Sequence, residues 1–235
     1  MKKVLIAGCC GEIGQSLYYH LKDRYFVIPC DIVKNDNLLM NYHQIDFRNY
    51  ADVKNVFSEE HIDAVISLIG IKEMASIPSP DVFSLMSGTY LSSTYNILSA
   101  MRETKVKKFI MASSNHVTDY YENDGFSTLN REICVDDYPK SKSVYGSLKL
   151  AAESVCFNFF VNCGIQSICF RIGTYRRNFP PHYPDRWKRT MLSTVDLIHY
   201  FAAAIEHPTA SGVFYLVSDN FNKPWNINSL TQVFK

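Results

Sequence analysis

Short apolar runs rich in β-branched residues alternate, through the first two thirds of the chain, with stretches of helical periodicity. Several runs are apolar at consecutive positions, as β-strands covered by helices on both faces must be. We predict strands at 3–7, 25–29, 64–68, 108–112, 167–171 and 212–217, and helices near 12–23, 50–58, 81–103, 143–162 and 194–206. Alternation at this rhythm indicates a parallel sheet with right-handed crossover connections.

The predicted architecture is therefore an α/β fold of the Rossmann type, a doubly wound parallel sheet with helices on both faces. The stretch 175–190, rich in proline, arginine and tyrosine, interrupts the pattern and is predicted to be an irregular loop. Long loops inside compact domains are often functional, which makes this stretch a candidate for a binding role.

Composition and charge exclude several classes of function. Hydrophobic residues make up 47% of the 235, enough for a sizeable core without disulfides or metals. The 24 lysines and arginines are balanced by 23 acidic residues, so the chain lacks the bulk positive charge of many nucleic-acid-binding proteins. No apolar run approaches the roughly 18 residues of a membrane span. We therefore expect binding to neither nucleic acid nor membrane.

The cysteines indicate the compartment. There are seven, an odd number, with no C-x-x-C pair, and most lie in apolar runs. This pattern predicts buried, reduced thiols in a cytoplasmic protein and no metal site. Lys2 and Lys3 precede an apolar run that ends at Cys9, as in a lipoprotein signal. That run is only about four residues long, whereas a signal needs roughly 7–15.

A glycine-containing turn, residues 8–14, lies between the first predicted strand and the first helix. Glycine adopts backbone angles that other residues resist, and a pyrophosphate can approach a helix N-terminus only where no side chain intervenes. We therefore expect a dinucleotide at this turn. The predicted contacts within it are Gly8, Gly11, Glu12, Ile13 and Gly14.

Asp31 ends the second predicted strand, roughly 20 residues beyond Gly11, the distance at which a carboxylate binds the adenosine ribose hydroxyls. A carboxylate at this position also repels a 2′-phosphate. The sequence therefore predicts NAD rather than NADP as the cofactor.

The G-x-x-G-x-x-G spacing resembles that of extended short-chain dehydrogenases/reductases, the NAD-dependent epimerase/dehydratase family. The resemblance implies that Asp46, at the position that follows the family's third strand, contacts adenine, and that Ile69 and Gly70 pass over the nicotinamide side of the cofactor. It also implies a homodimer formed through the helices near 81–103 and 143–162.

The signature of that family is Tyr-x-x-x-Lys, and the sequence contains it four times. The pairs are Tyr18/Lys22, Tyr50/Lys54, Tyr138/Lys142 and Tyr145/Lys149. The last pair alone begins a long helix downstream of the predicted strand 108–112, with an inward apolar stripe, and alone follows a strand end that carries serines, Ser113 and Ser114. We therefore predict Tyr145 and Lys149 as the catalytic pair.

The physics of this pair supports the choice. Residues four apart share one face of a helix, so the Lys149 ammonium can stabilise the Tyr145 phenolate. Bringing a phenol pKa from about 10 to neutrality takes roughly 4 kcal/mol, which a desolvated site with a neighbouring cation can supply. Tyr145 would then accept the substrate hydroxyl's proton, Ser114 would hold the developing carbonyl oxygen, and Lys149 would also hold the nicotinamide ribose.

Three further stretches resemble one subgroup, the uronate dehydrogenases. They are Ser113-Ser114-Asn115-His116, Arg171-Ile172-Gly173-Thr174, and the segment beginning at Arg186. The resemblance implies that Ser114, Asn115, His116 and Thr174 bind sugar hydroxyls and that Arg186 clamps a carboxylate. A guanidinium fork suits a planar carboxylate, so the implied substrate is a small sugar or sugar acid.

Two positions depart from that subgroup. Lys72 stands where the subgroup usually has Ser, and we count it among the substrate-binding candidates. Tyr90 stands where the family commonly has Asn. A nucleotide-sugar epimerase or dehydratase with bound NAD, and a non-catalytic NAD-sensing regulator, therefore stay open as alternatives.

The division of the chain follows from these assignments. Residues 1–174 are predicted to bind NAD and carry the catalytic residues. Residues 175–235 are predicted to form a small substrate-binding part integrated with them in one compact unit. So short a C-terminal part argues against a nucleotide-sugar substrate, which needs a substantial covering domain.

Overall fold

The computed structural model describes residues 1–34, 40–71 and 75–235. The strands are β1 (Lys3–Ala7), β2 (Phe26–Asp31), β3 (His43–Gln44), β4 (Ala64–Ser67), β5 (Lys108–Ser114), β6 (Glu122–Asn123), β7 (Phe126–Ser127), β8 (Gln166–Ile172), β9 (Thr174–Tyr175), β10 (Met191–Leu192) and β11 (Gly212–Leu216). The α-helices are α1 (Glu12–Leu21), α2 (Tyr50–Glu59), α3 (Pro80–Ser87), α4 (Ser93–Thr104), α5 (Val144–Cys163), α6 (Asp185–Thr190), α7 (Thr194–Glu206) and α8 (Asn228–Val233). A π-helical segment, Gly88–Ser92, joins α3 to α4, and a 3₁₀ helix, Asn115–Tyr121, follows β5.

Seven strands form one sheet in the order β3-β2-β1-β4-β5-β8-β11, and every neighbouring pair in it is parallel. This arrangement confirms the predicted doubly wound α/β fold. The strand order reverses between β1 and β4, and ligands of such sheets bind in the crevice beyond the carboxyl ends of the strands at that switch point.

Both faces of the sheet are buried. Alternate residues of β1 enter two separate hydrophobic clusters, Val4 and Ile6 in one and Leu5 and Ala7 in the other. Helices α1 and α7 pack together on the first side, and α2, α4 and α5 pack together on the second. Side chains alternate across a strand, so burial of both sets explains the continuous apolar runs that predicted these strands.

The stretch 81–103, predicted as one helix, is helical in the structure, where it consists of α3, the π segment and α4. The insertion of a π segment was not predicted, and such segments occur frequently at functional sites. Residues 175–235 are structurally continuous with the first part of the chain, because β11 is the edge strand of the main sheet beside β8.

The prediction of an irregular loop at 175–190 was wrong for its last six residues, which form α6. Asp185 lies in the first turn of this helix and Lys188 and Arg189 in the last, which complements the helix dipole. Lys188 also forms an ion pair with Asp185 at 2.6 Å. None of the described helices is long and apolar enough to span a bilayer.

Candidate active site

Two adjoining cavities lie at the carboxyl ends of the strands, with volumes of about 440 Å³ and 410 Å³. They share the residues 68–71 that follow β4, so they form one continuous cleft. The first cavity is bordered by Gly8, Gly11, Asp31 and Asp46, and the second by Ser114, Tyr145 and Lys149. The cleft therefore brings together the residues predicted separately for cofactor binding and for chemistry.

The glycine turn is tightly packed at one end of this cleft. Gly8 has a φ of +83°, in the region that favours glycine, and its amide donates to the Cys30 carbonyl at 2.9 Å. A Cβ on Gly14 would lie 2.4 Å from the Gly8 carbonyl oxygen. The helix α1 therefore begins close against the turn only because this position carries no side chain.

Asp31 is held in place by backbone amides. Its Oδ2 accepts from the Cys10 amide at 2.9 Å, and its Oδ1 accepts from Ile32 and Val33 at 2.8 and 3.3 Å. A carboxylate oxygen can accept more than one hydrogen bond, so both keep capacity for a ribose hydroxyl. The side chain borders the first cavity, as its predicted role requires.

Asp46 also borders the first cavity, but it has a partner that the sequence analysis missed. The Arg48 guanidinium binds its carboxylate through Nε at 2.9 Å and Nη2 at 2.7 Å. The hydrogen bonds from Arg48 lower the pKa of Asp46. Asp46 and Arg48 lie outside the strands, between β3 and α2, so no regular periodicity in the sequence predicted this fork.

Among the four Tyr-x-x-x-Lys pairs, only Tyr145 and Lys149 border the cleft. Both lie in the first two turns of α5, where the Ser143 hydroxyl caps the helix by accepting from the Gly146 amide at 3.2 Å. By contrast, Tyr138 is 74% exposed.

Lys149 is buried, and its ammonium donates to the Ala112 carbonyl at 2.7 Å. Burial lowers its pKa to about 8, an effect opposed by the negative charge of Glu153 one turn later in α5. Tyr145 shows the opposite balance: burial raises its pKa, and a hydrogen bond with Ser114 lowers it.

Tyr90, noted in the sequence only as a departure from the family, lies against both of these residues. Its ring is 4.8 Å from the Lys149 ammonium and contacts the Tyr145 ring edge-on at a centroid distance of 5.5 Å. Its hydroxyl accepts from the Ile71 amide at 3.2 Å and donates to the Ile71 carbonyl at 3.3 Å. The π segment thus places a cation–π contact and a loop anchor at the centre of the cleft.

Ser114, Asn115 and His116 lie where β5 ends and the 3₁₀ helix begins. The Ser114 hydroxyl accepts from the His116 amide at 3.2 Å, and the His116 ring lies 5.6 Å from the Tyr145 ring. His116 Nδ1 bonds to Asp119 at 2.7 Å, a buried carboxylate that the sequence analysis did not identify. The three predicted residues therefore border the second cavity with the imidazole held in one orientation.

Thr174 and Arg186 border the second cavity from the opposite side. The Thr174 hydroxyl bonds to Thr190 at 2.8 Å. The Arg186 fork is occupied, because its Nε and Nη2 donate to the two carboxylate oxygens of Glu122 at 3.0 and 2.8 Å. The two N–H groups of Nη1 and the second N–H of Nη2 make none of these contacts. Lys72, the remaining substrate-binding candidate, lies outside the described residues.

A buried polar network lies behind the catalytic candidates and was not predicted. Glu153 accepts from the Ser113 hydroxyl at 2.5 Å and from Arg171 Nε and Nη2 at 3.0 and 2.8 Å. Arg171 and Glu153 are 5% and 4% exposed. Glu153 holds the end of β5 through Ser113, and its negative charge raises the pKa of Lys149 against the lowering by burial.

Comparison with known proteins places these features in context. The model of the NAD dependent epimerase/dehydratase family matches residues 4–195. The uncharacterized protein YtbQ of Bacillus subtilis (strain 168) is 38% identical over 231 residues, which cover 97% of this chain and 90% of YtbQ. The uronate dehydrogenase of Pseudomonas syringae pv. tomato is 27% identical, over 95% of this chain and 77% of its own.

Solved structures agree on the fold. The crystal structure of uronate dehydrogenase from Agrobacterium tumefaciens superposes with a TM-score of 0.84 at 22% identity. The superposition covers 100% of this chain and 84% of that one.

Proposed function

Because this chain belongs to the NAD-dependent epimerase/dehydratase family, we propose that it oxidises a sugar or sugar acid, with NAD as the hydride acceptor. The observation that carries the proposal is the position of Tyr145, Lys149 and Ser114 at one end of a cleft whose other end is the glycine turn. A cofactor extended along this cleft would present its reactive ring to the Tyr145 hydroxyl.

The residues of the first cavity fit NAD. Gly14 lets α1 begin close against the backbone of the turn, and the turn residues Gly8 and Gly11 line the cavity in which a pyrophosphate would meet the start of the helix. Asp31 ends β2 at the place where ribose hydroxyls bind, and its charge opposes a 2′-phosphate. Ile69 and Gly70 line both cavities, as predicted for the segment that passes over the nicotinamide side.

Each catalytic candidate has one role in this proposal. Tyr145 removes the proton from the substrate hydroxyl as its carbon is oxidised. Lys149, a buried cation beside it, favours the phenolate by its charge. Ser114 donates to the oxygen that becomes a carbonyl, and it borders the same cavity as Tyr145.

A single absorbance assay tests the proposal. Purified protein is incubated with NAD and a panel of uronates, neutral aldoses, sugar phosphates and UDP-sugars, and NADH formation is followed. NADH that appears with a uronate or aldose supports the dehydrogenase. Conversion of a UDP-sugar without net NADH identifies an epimerase instead. NAD binding without turnover of any substrate contradicts both and identifies a regulator.

The charge of the second cavity indicates how an acidic substrate is recognised. Glu122, buried and paired with Arg186, neutralises the arginine that the sequence predicted as the carboxylate clamp. Arg176 borders the same cavity and lies 5.4 Å from the Trp187 ring. Its Nη1 donates to the Tyr175 carbonyl at 2.9 Å and lies 3.7 Å from the Glu12 carboxylate, so it makes no two-pronged carboxylate contact of the kind that occupies Arg186. We therefore assign the anionic end of the substrate to Arg176, assisted by the Nη1 group of Arg186.

Arg176→Ala is expected to raise KM for an acidic substrate about 10-fold or more while leaving kcat and the KM of a neutral sugar near wild type. A charge-assisted contact made equally in the bound and transition states acts on KM alone. Steady-state kinetics on a uronate and on the matching aldose measure the difference. Lys188→Ala, which removes an exposed cation of α6, is the matched control. An equal loss on both substrates would refute the assignment.

The outer faces of α4 and α5 support the homodimer implied by the family resemblance. Tyr95, Phe157 and Val161 are 55%, 65% and 60% exposed, an unusual concentration of large apolar side chains on neighbouring helices. We propose that a second copy of this chain covers them.

Phe157→Glu is expected to convert the dimer into a monomer, because a carboxylate buried at the centre of an apolar interface has no partner. Light scattering after size-exclusion chromatography measures the mass. Phe221→Glu changes a phenylalanine that is 87% exposed elsewhere and should keep the mass of the wild type. A wild-type protein that is monomeric at all concentrations would contradict the interface.

A further inference from the structure

Two adjacent cysteines lie in the glycine turn, beside the carboxylate predicted to bind the cofactor ribose. The Sγ atoms of Cys9 and Cys10 are 3.9 Å apart. The two Sγ atoms and one carboxylate oxygen of Asp31 all lie within 4.8 Å of one another. The sequence analysis expected no metal site because it looked for C-x-x-C spacing, and this group arises instead from neighbours in the turn and the end of β2.

The separation of the two sulfurs matches a metal better than a disulfide. Two thiolates bound to one tetrahedral ion at about 2.3 Å lie roughly 3.8 Å apart. A disulfide would require them to approach to about 2.05 Å. The observed 3.9 Å therefore suits a shared ion with little movement of the turn.

The ligand set selects the class of ion. Thiolates favour soft or borderline cations such as Zn²⁺ and Cd²⁺ over Mg²⁺ or Ca²⁺, which prefer oxygen. Cys9 is fully buried, whereas Cys10 is partly exposed and borders the first cavity, which gives an ion its route in. Binding replaces one proton on each thiol with the metal and releases both protons to solvent.

We propose that Cys9, Cys10 and Asp31 form a site for a thiophilic divalent cation, and that its occupation excludes NAD. Asp31 would bind either the metal ion or the NAD ribose. Its Oδ2 already accepts from the Cys10 amide at 2.9 Å, which holds it beside the two cysteines. A metal held there would draw the carboxylate away from the ribose position and crowd the turn where the pyrophosphate binds. Exclusion is reciprocal by thermodynamic linkage, so NAD must weaken metal binding by the same factor.

The site rests on the cofactor turn and is independent of whether Tyr145 is catalytic. It therefore has a test that needs no turnover. Metal-free protein, prepared with a chelator and kept reduced, is titrated with Cd²⁺, and the ultraviolet thiolate-to-Cd²⁺ charge-transfer band is recorded. We expect saturation at one ion per chain. Adding NAD at 100 times its own Kd should raise the apparent Kd for Cd²⁺ about 100-fold.

Variants identify the ligands. Cys10→Ser and Cys9→Ser should each weaken Cd²⁺ binding at least 10-fold, and Asp31→Asn should weaken it without removing the charge-transfer band. Cys134→Ser, a partly buried cysteine away from the turn, is the matched control and should bind as wild type. If the buried Cys9→Ser change prevents folding, as judged by circular dichroism, Cys10→Ser alone carries the test.

Three results would overturn the proposal. They are the lack of a stoichiometric band in wild type, an undiminished band in the Cys9→Ser/Cys10→Ser double variant, and Cd²⁺ binding that NAD leaves unchanged. A large excess of Zn²⁺ should displace Cd²⁺ from the site and remove the band, whereas the same excess of Mg²⁺ should not. Displacement by Mg²⁺ would likewise contradict a thiolate site.

Discussion

Tyr145→Phe is expected to lower kcat for the oxidation about 1000-fold while NAD affinity stays within about 2-fold of wild type. The phenyl ring keeps the contacts with Tyr90 and His116 but has no oxygen to take the substrate's proton. In the cofactor-free protein, burial raises the Tyr145 pKa, so wild-type kcat/KM should increase toward alkaline pH as the phenolate forms. Turnover kinetics across pH, with NAD binding measured by calorimetry, test both statements.

The control for this substitution is already present in the chain. Tyr138→Phe alters another Tyr-x-x-x-Lys pair whose tyrosine is 74% exposed and outside the cleft, and it should retain full activity. A Tyr145→Phe enzyme that keeps more than about a tenth of wild-type kcat would show that another group moves the proton. A loss of NAD binding equal to the loss of kcat would show that the hydroxyl holds the cofactor and does no chemistry.

The choice among the four Tyr-x-x-x-Lys pairs shows what local pattern can achieve. Strands with both faces buried carry strong apolar runs, so β1 was placed at its observed bounds and β4 within one residue of them. Once the sheet order follows from strand–helix alternation, the carboxyl ends of the strands must meet at one edge. That is why residues as distant as Asp31 and Tyr145 could be assigned to a single cleft before its geometry was known.

The partners of those residues could not be found in the same way. Glu153 binds Ser113 and Arg171, and Glu122 binds Arg186, across 64 residues in the last case. Such pairs depend on how loops and helices dock, and nothing in a residue's own neighbourhood records them. The consequence is substantial for Arg186, whose fork is satisfied by a buried carboxylate.

Local signals also failed where the backbone departs from regular geometry. The π segment Gly88–Ser92 has the same apolar periodicity as the helices on either side, so 81–103 was predicted as one continuous helix. The extra residue in that turn directs Tyr90 toward Lys149 and Ile71. A tyrosine at a position where the family commonly has asparagine was the only warning in the sequence.

Lys149→Met should abolish activity at little or no cost in stability at neutral pH. Burial lowers the Lys149 pKa from 10.5 to about 8, so holding the ammonium in the fold costs roughly 3 kcal/mol at about 1.4 kcal/mol per pKa unit. Methionine removes that cost but leaves the Ala112 carbonyl without its donor, a loss of about 1–3 kcal/mol. The two contributions offset each other, and we expect a free energy of unfolding within about 1 kcal/mol of wild type at pH 7.

The dependence on pH separates this account from a simple cavity effect. Between pH 8 and 10.5 the unfolded chain binds a proton at Lys149 that the folded chain has released, so wild-type stability rises with pH across this window. The variant lacks this contribution. The free energies of unfolding of wild type and variant are measured by urea denaturation at a series of pH values. Between pH 8 and 10.5 the wild type should gain up to roughly 3 kcal/mol of stability relative to Lys149→Met.

Lys108→Met provides the comparison outside the cleft. Burial also lowers the pKa of Lys108, whose ammonium donates to the His207 carbonyl at 2.5 Å, so its stability should respond to pH in the same direction. The turnover of Lys108→Met should remain that of wild type, because Lys108 lies at the amino end of β5, whereas the cleft lies at the carboxyl ends of the strands. A stability difference between Lys149→Met and wild type that does not change with pH would mean that Lys149 is not destabilised by burial. The contribution of Lys149 to activity would then have to come from its hydrogen bonds and not from a desolvated charge beside Tyr145.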